Sequence, residues 1–417
     1  MITAIANAFR VPELRRRILF TLAILAVYRV GAHIPVPGVD LARVQEIIEG
    51  QAALGLLDLF SGGALNRFAV FALGIMPYIT SSIIMQLLQG VIPKVEQWSK
   101  EGEAGQRKIT QATRYLTLAI ATVQAIAMLG LFRSALAPAG VNLNLAISGV
   151  IVITLIAGTA LIMWMGELIT QRGIGNGMSL MIFAGIVARF PTALVQSVRL
   201  GNEIMIIALV FIFLFVVAAV VTIDRGQRRI PVQYAKRVVG RKVYGGTGTY
   251  IPLKINGANV IPIIFASAIL FFPAQIATLT GIEWMQKIGN ALASGWVYYI
   301  FFAALVIFFT YFYTALVFNP IDLADNLRKN GGFIPGVRPG KATVNYLEKT
   351  MNRITLPGAV FLALIAIAPT VLFRATGVTT LEQFGGTSIL IMVGVALETM
   401  TQLESQLKMR HYDGFFK

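Results

Sequence analysis

The residues that could do chemistry are few and widely spaced. The 417-residue chain contains no Cys and two His, His33 and His411. Thiolate nucleophiles, disulfides and Cys-ligated metals are thereby excluded, and two imidazoles so far apart in sequence make no local metal motif. A catalytic site needs an acid, base or nucleophile with a partner beside it. Glu167 and Glu398 sit near the ends of apolar runs and Arg29 in the outer part of another, where interfacial anchoring or snorkelling accounts for them. Gly173-Ile174-Gly175-Asn176-Gly177 shares only its glycines with a phosphate loop, since no Lys follows and its flanks are apolar. It reads as a tight turn between helices. Nothing here points to an enzyme, a metal or a cofactor.

The elements that would position these residues are membrane helices. Hydrophobic residues make up 56% of the chain and charged residues 13%, about half the ~25% of soluble domains. Mean hydropathy is +0.74, which leaves too little polar surface for a water-soluble globule. A bilayer core needs ~20 mostly apolar residues per helix. Ten runs qualify, at residues 18–34, 68–92, 115–132, 145–166, 177–188, 204–223, 257–279, 296–318, 354–373 and 384–403. The first leads into Pro35-Val36-Pro37-Gly38 without a small-residue cleavage site, so it reads as a span, not a signal peptide. The expected fold is an all-α polytopic membrane protein.

Ten spans place both termini on one side. With the termini cytoplasmic, the cytoplasmic pieces hold 27 of the 35 Lys and Arg, and the net charge of +16 becomes a positive-inside bias. Two of these pieces exceed what orientation needs. Residues 225–256 carry Arg225, Arg228, Arg229, Lys236, Arg237, Arg241, Lys242 and Lys254 with no acid. Val232, Tyr234, Val238, Val239 and Tyr244 interleave, and Gly245-Gly246 reads as a turn between short strands. Residues 321–353 add Arg328, Lys329, Arg338 and Lys341 around Gly331-Gly332 and Pro335-Gly336. Such projections suit an anionic partner (lipid headgroups, ribosomal RNA or an acidic protein) or simple topogenic retention.

The spans split five and five around the short turn at 199–203. An odd number per half gives repeated halves opposite orientations, and inverted repeats place a pathway between them. Leu54 to Phe60 is apolar, Ser61-Gly62-Gly63 breaks it, and the second span follows. A half-length helix re-entering a protein-lined cavity fits this pattern, as does an amphipathic surface helix. Pro77 in the second span and Pro262 in the seventh permit bending. Thr80, Ser81, Ser82 and Gln86 on one and Asn259 on the other would form a contact able to close by hydrogen bonds.

The run Phe71-Ala72-Leu73-Gly74-Ile75-Met76-Pro77-Tyr78-Ile79, with Ser61-Gly62-Gly63-Ala64-Leu65 before it, resembles the SecY family of translocon channel subunits. Further blocks resemble it in the same order: Lys100-Glu101-Gly102-Glu103, Arg172-Gly173-Ile174-Gly175-Asn176-Gly177, Arg225-Gly226-Gln227-Arg228-Arg229-Ile230 and Pro335-Gly336-Val337-Arg338-Pro339-Gly340. The resemblance implies ten helices in two inverted five-helix halves around a central hourglass pore. Residues 1–17 would be a cytoplasmic amphipathic N-terminus, 18–199 the first half, 200–203 a hinge turn, 204–407 the second half and 408–417 a short cytoplasmic tail.

The resemblance also assigns roles. A pore ring falls at Ile75, Ile79, Met178, Ile182, Ile264 and Ile391, where Met178 departs from the usual branched aliphatic residue. The plug falls at Leu57, Asp58, Leu59, Phe60, Ser61, Gly62, Gly63, Ala64, Leu65 and Asn66. Thr80, Ser81, Gln86 and Asn259 become the polar members of a lateral gate. Arg228, Arg229, Lys236, Arg237, Arg241, Lys242, Arg328, Lys329 and Arg338 become the surface that docks a motor or ribosome. Implied partners are SecE and SecG in a heterotrimer, the SecA ATPase, the ribosome, signal peptides and preproteins, and anionic lipids, with SecDF and YidC as accessory candidates. The implied activity is translocation of unfolded preproteins across a bacterial plasma membrane, with release of hydrophobic segments to lipid. An inverted-repeat transporter of small solutes is the alternative; it needs a midplane ionisable site, and the span centres are nearly free of charge.

Overall fold

The structure is a computed structural model that describes residues 9–37, 39–49, 52–132, 135, 145–200, 203–234, 237–239, 242–244, 248–280, 295–375 and 385–413. Each expected span falls on one helix. These are α1 (Pro12–Gly31), α4 (Met76–Val91), α6 (Glu103–Leu131), α7 (Leu145–Arg172), α8 (Gly177–Leu200), α9 (Glu203–Arg225), α10 (Ile261–Thr280), α11 (Gly295–Val317), α13 (Lys341–Ala375) and α14 (Gly386–Asp413). Between them lie α2 (Leu41–Glu49), α3 (Ala52–Phe60), α5 (Pro93–Lys100) and α12 (Pro320–Lys329). Among the described residues, five helices are long and apolar enough to cross a membrane by length and composition. The second span is shorter than its apolar run. Residues 61–75 form turns, Gly74 takes a left-handed φ of +58°, and Pro77 sits in the first turn of α4, where its missing N–H costs nothing.

The two halves are built alike. In the first, α6 packs on α4, α7 on α6, α8 on α7, and α1 on α7 and α8. In the second, α11 packs on α10, α13 on α11, α14 on α13, and α9 on α13 and α14. The neighbours follow the same order of spans in each half. The halves meet where α10 packs on α4 and α6, and where α14 and α9 reach α8. One apolar cluster runs through both halves.

The two basic loops fold together. Strand β1 (Gln227–Tyr234) pairs antiparallel with β4 (Thr249–Lys254), register Ile230 to Ile251, and on its other edge with β5 (Gly332–Phe333). Short strands β2 (Arg237–Val239) and β3 (Lys242–Tyr244) form a separate hairpin. Gly245-Gly246 falls between β3 and β4, outside the described residues. Ile230, Val232 and Leu253 bury one sheet face against Leu327, Ile334, Leu347 and Met351. Alternation along β1 leaves Arg229 and Pro231 exposed, as a half-buried strand requires. Asn319 caps α12, its Oδ1 accepting from the Ile321 N–H at 3.1 Å and the Asp322 N–H at 3.4 Å.

Candidate functional site

The six expected ring residues come from four helices. Ile75 is the N-cap of α4, and the Ile79 N–H donates to its carbonyl at 3.1 Å one turn on. Met178 and Ile182 lie a turn apart on α8, Ile264 on α10 and Ile391 on α14. All six are buried, from 0% exposed at Ile391 to 9% at Met178, and all belong to the same apolar cluster. Branched hydrocarbon at a waist offers an ion no ligand, so it excludes ions by dewetting. The Met178 thioether lies against Gly166 of α7, in space a Cβ there would fill. A flexible side chain takes up the gap that glycine leaves.

Residues 57–66 run from the last turn of α3 into an irregular segment. Leu57, Asp58, Phe60, Ala64 and Leu65 are buried and α3 packs on α8, so the segment is packed into the protein and not laid on its surface. Asp58, 1% exposed, organises it. One carboxylate oxygen accepts from the Asn66 N–H at 2.8 Å, and the other from Arg189 Nη1 of α8 at 2.5 Å. The Ser61 hydroxyl donates to the Asp58 carbonyl at 3.0 Å and accepts from the Leu65 N–H at 3.1 Å. From α1, the Tyr28 hydroxyl donates to the Ser61 carbonyl at 3.1 Å and Arg29 Nη1 to the Gly62 carbonyl at 2.9 Å. Gly62 has φ +67°, and a Cβ there would sit 2.8 Å from the Gly185 Cα. Only glycine satisfies both the dihedral and the close approach.

Arg29 and Arg189 hold the 57–66 segment, a contact that sequence reasoning missed. Arg29 reads as a snorkelling end and Arg189 as a charge that shortens the fifth span, yet both grip that segment. The available signal was their position among the few cations outside the basic cytoplasmic pieces. Glu167 anchors as expected, in an ion pair with Arg114 that joins α7 to α6. The glycine-rich turn is interhelical, with Asn176 Oδ1 accepting from the Met178 N–H at 3.0 Å to cap α8.

The expected gate helices are in contact, but their hydroxyls do not bridge them. Thr80 donates to the Met76 carbonyl at 3.0 Å and Ser81 to the Pro77 carbonyl at 2.7 Å, both within α4. A hydroxyl in a membrane helix finds its own i−4 carbonyl nearest. Gln86 donates to the Ser82 hydroxyl at 3.3 Å, and its buried Oε1 has no hydrogen-bond partner among the described residues. Asn259 stands in the turn before α10 at φ +52°, a conformation Asn tolerates.

Arg228 and Arg229 are exposed on β1, with the Arg229 guanidinium 4.8 Å from the centre of the Tyr250 ring. Arg328 and Lys329 end α12, Arg328 pairing with Asp325 at 3.4 Å. Arg338 is exposed in the turn before α13, its carbonyl accepting from the Thr343 hydroxyl at 2.9 Å. The structure thus brings Arg228, Arg229, Arg328, Lys329 and Arg338 onto one folded unit. Lys236 and Arg241 lie outside the described residues, as do the side chains of Arg237, Lys242, Leu59 and His411.

Ten apolar helices in two like halves, with a buried segment at 57–66 packed among them, define a polytopic membrane protein. The SecY family model matches residues 69–400. The chain belongs to the SecY family. It is 49% identical to the protein translocase subunit SecY of Streptomyces galbus and 47% identical to that of Mycobacterium bovis, each aligned over the whole of both chains. A solved structure described as a protein conducting channel matches with a TM-score of 0.67 at 20% identity, covering 96% of each chain. A second, concerned with the plug domain of SecY, matches at 0.65 and 20% identity over the same shares. Sec61 in a canine ribosome–channel complex matches at 0.63 and 18% identity, again over 96% of each chain. SecY is a channel family and not an enzyme family, and the small-solute transporter receives no support from these relatives.

Proposed function

We propose that the chain is the protein-conducting channel of a secretory translocase, passing unfolded preproteins through its waist and releasing hydrophobic segments sideways to lipid. The observation that supports this reading is that Ile75, Ile79, Met178, Ile182, Ile264 and Ile391, contributed by helices of both like halves, are all buried in the apolar core the halves share. Residues 57–66 are the plug, and the α4 and α6 contact with α10 is the lateral gate. Charged rings would select by sign, which a general protein channel must avoid; an apolar collar seals without binding its cargo. The chain carries no nucleotide motif, so the driving force comes from outside. The folded basic unit with Arg228, Arg229, Arg328, Lys329 and Arg338 docks a SecA-type ATPase or a translating ribosome, and Arg338 at its exposed turn is the coupling residue. SecE and SecG complete the complex in a bacterial plasma membrane, with both termini cytoplasmic.

Because the chain has no Cys, a single Ile264→Cys variant tests the pore directly. It is co-reconstituted with the SecE-type partner and given a stalled secretory chain bearing its own Cys. A disulfide that forms only on engagement by the motor or ribosome is expected. Reaction with small thiol reagents but never with an engaged chain would overturn the assignment.

A further inference from the structure

Among the described residues, three arginines and one carboxylate gather at the 57–67 segment. Arg189 of α8 binds Asp58 at 2.5 Å, and Arg29 of α1 binds the Gly62 carbonyl at 2.9 Å. Arg67, on the segment itself, donates to His33 Nε2 at 2.9 Å, while His33 Nδ1 lies 2.8 Å from the Arg29 carbonyl. Both bonds require a neutral imidazole protonated on Nδ1. Three guanidiniums therefore face one carboxylate. The bonds described occupy one donor on each of them, out of five.

Two of these guanidiniums approach one point beside Gly63. Gly63 has φ +88°, and the point its Cβ would occupy is 3.9 Å from Arg189 Nε and 3.9 Å from Arg67 Nη1. Beyond the adjoining backbone, the three nearest atoms to that point all belong to these two arginines. Arg67 and His33 are exposed and Arg189 and Arg29 half-buried, so solvent reaches these side chains. Planar guanidiniums that converge in this way match the oxygens of a phosphate group.

We propose that the space beside Gly63, between Arg67 and Arg189, is an oxyanion site that takes a phosphate group, either free or as a lipid headgroup. A bound phosphate bridges Arg67 on the segment to Arg189 on α8 and offsets the repulsion between them. Occupancy then holds the segment in its seat, by the linkage that couples any ligand to the state it prefers. The binding does not depend on the channel reading; only its consequence for the seal does.

The test uses the full chain in vesicles, with inorganic phosphate against chloride at matched ionic strength. The unfolding midpoint and the ion leak of the idle protein are read together. Phosphate at about five times its dissociation constant is expected to raise the midpoint by about 1–3 °C in wild type and in Arg43→Gln, a control cation on α2. Arg67→Gln is expected to lose that shift and keep only the general salting effect of phosphate. A shift of equal size in Arg67→Gln, or none in wild type by phosphate or lipid, overturns the site. If phosphatidylglycerol vesicles give the Arg67-dependent shift without added phosphate, the source is a headgroup. A midpoint that rises while the leak stays constant upholds the site and counts against residues 57–66 as the seal.

Discussion

Asp58 bears on how firmly the 57–66 segment is held, because its carboxylate accepts both from the segment, at Asn66, and from α8, at Arg189. Asp58→Asn leaves a guanidinium facing a neutral amide. The Arg189 side chain is 24% exposed, so the loss is about 2–3 kcal/mol, below the ~3–5 of a fully buried pair. The idle channel is expected to leak ions in planar-bilayer recordings. Asp58→Asn with Arg189→Gln is expected to leak little more than either single variant, since the pair acts as one unit; additive leaks would sink the latch. A charge at Ile79 or Ile264, both in the buried cluster, is expected to leak through the ring instead, and unchanged conductance in both variants would argue against that ring. These two kinds of residue were not equally legible. The ring positions follow a family motif, and burial of branched aliphatics is what their type foretells. The Asp58–Arg189 pair joins residues 131 positions apart, and no local pattern encodes such a meeting.

At the scale of elements, the β4–β1–β5 sheet marks a boundary that sequence periodicity does not cross. Both loops were legible as basic and partly stranded, from Val232, Tyr234 and Gly331-Gly332. Their union was not, because β1 meets β5 across about a hundred residues, and periodicity says nothing about partners. Likewise the apolar run from 68 foretold a helix where Gly74 and Pro77 delay it to Met76. Leu347 is fully buried beneath the sheet and Ile230 nearly so. Leu347→Ala is expected to cost about 2–4 kcal/mol locally. Hydrogen exchange should then rise at 227–234 and 332–333 together, with weaker motor or ribosome binding and no change in idle leak. Exchange confined to one strand would show that the two loops are separate units.

At the scale of the whole molecule, the shared neighbour order of the two halves makes the seam between them the place to open. α10 touches α4 and α6 there, with the α4 hydroxyls bonded to their own helix. Opening there would leave the Thr80 and Ser81 hydrogen bonds intact and expose apolar surface that lipid can cover. A segment lying in the open seam compares two solvents. At about −0.3 to −0.6 kcal/mol per Leu-like residue, ten of them favour lipid by roughly 3–6 kcal/mol, whereas a polar segment gains nothing and stays in the pore. A graded series of substrates with rising leucine content is thus expected to switch from crossing to membrane insertion over a few residues, as an equilibrium between two media would. Because the seam supplies only access, the Gln86→Leu variant, which removes the buried unpartnered Oε1 of α4, is expected to stabilise the shut seam. It should slow insertion across the series while leaving the leucine count at the midpoint unchanged. The measurement is the inserted fraction against leucine count, taken at early times and at completion. A midpoint at completion that moves by several leucines would mean that the protein itself, and not the lipid, reads the segment.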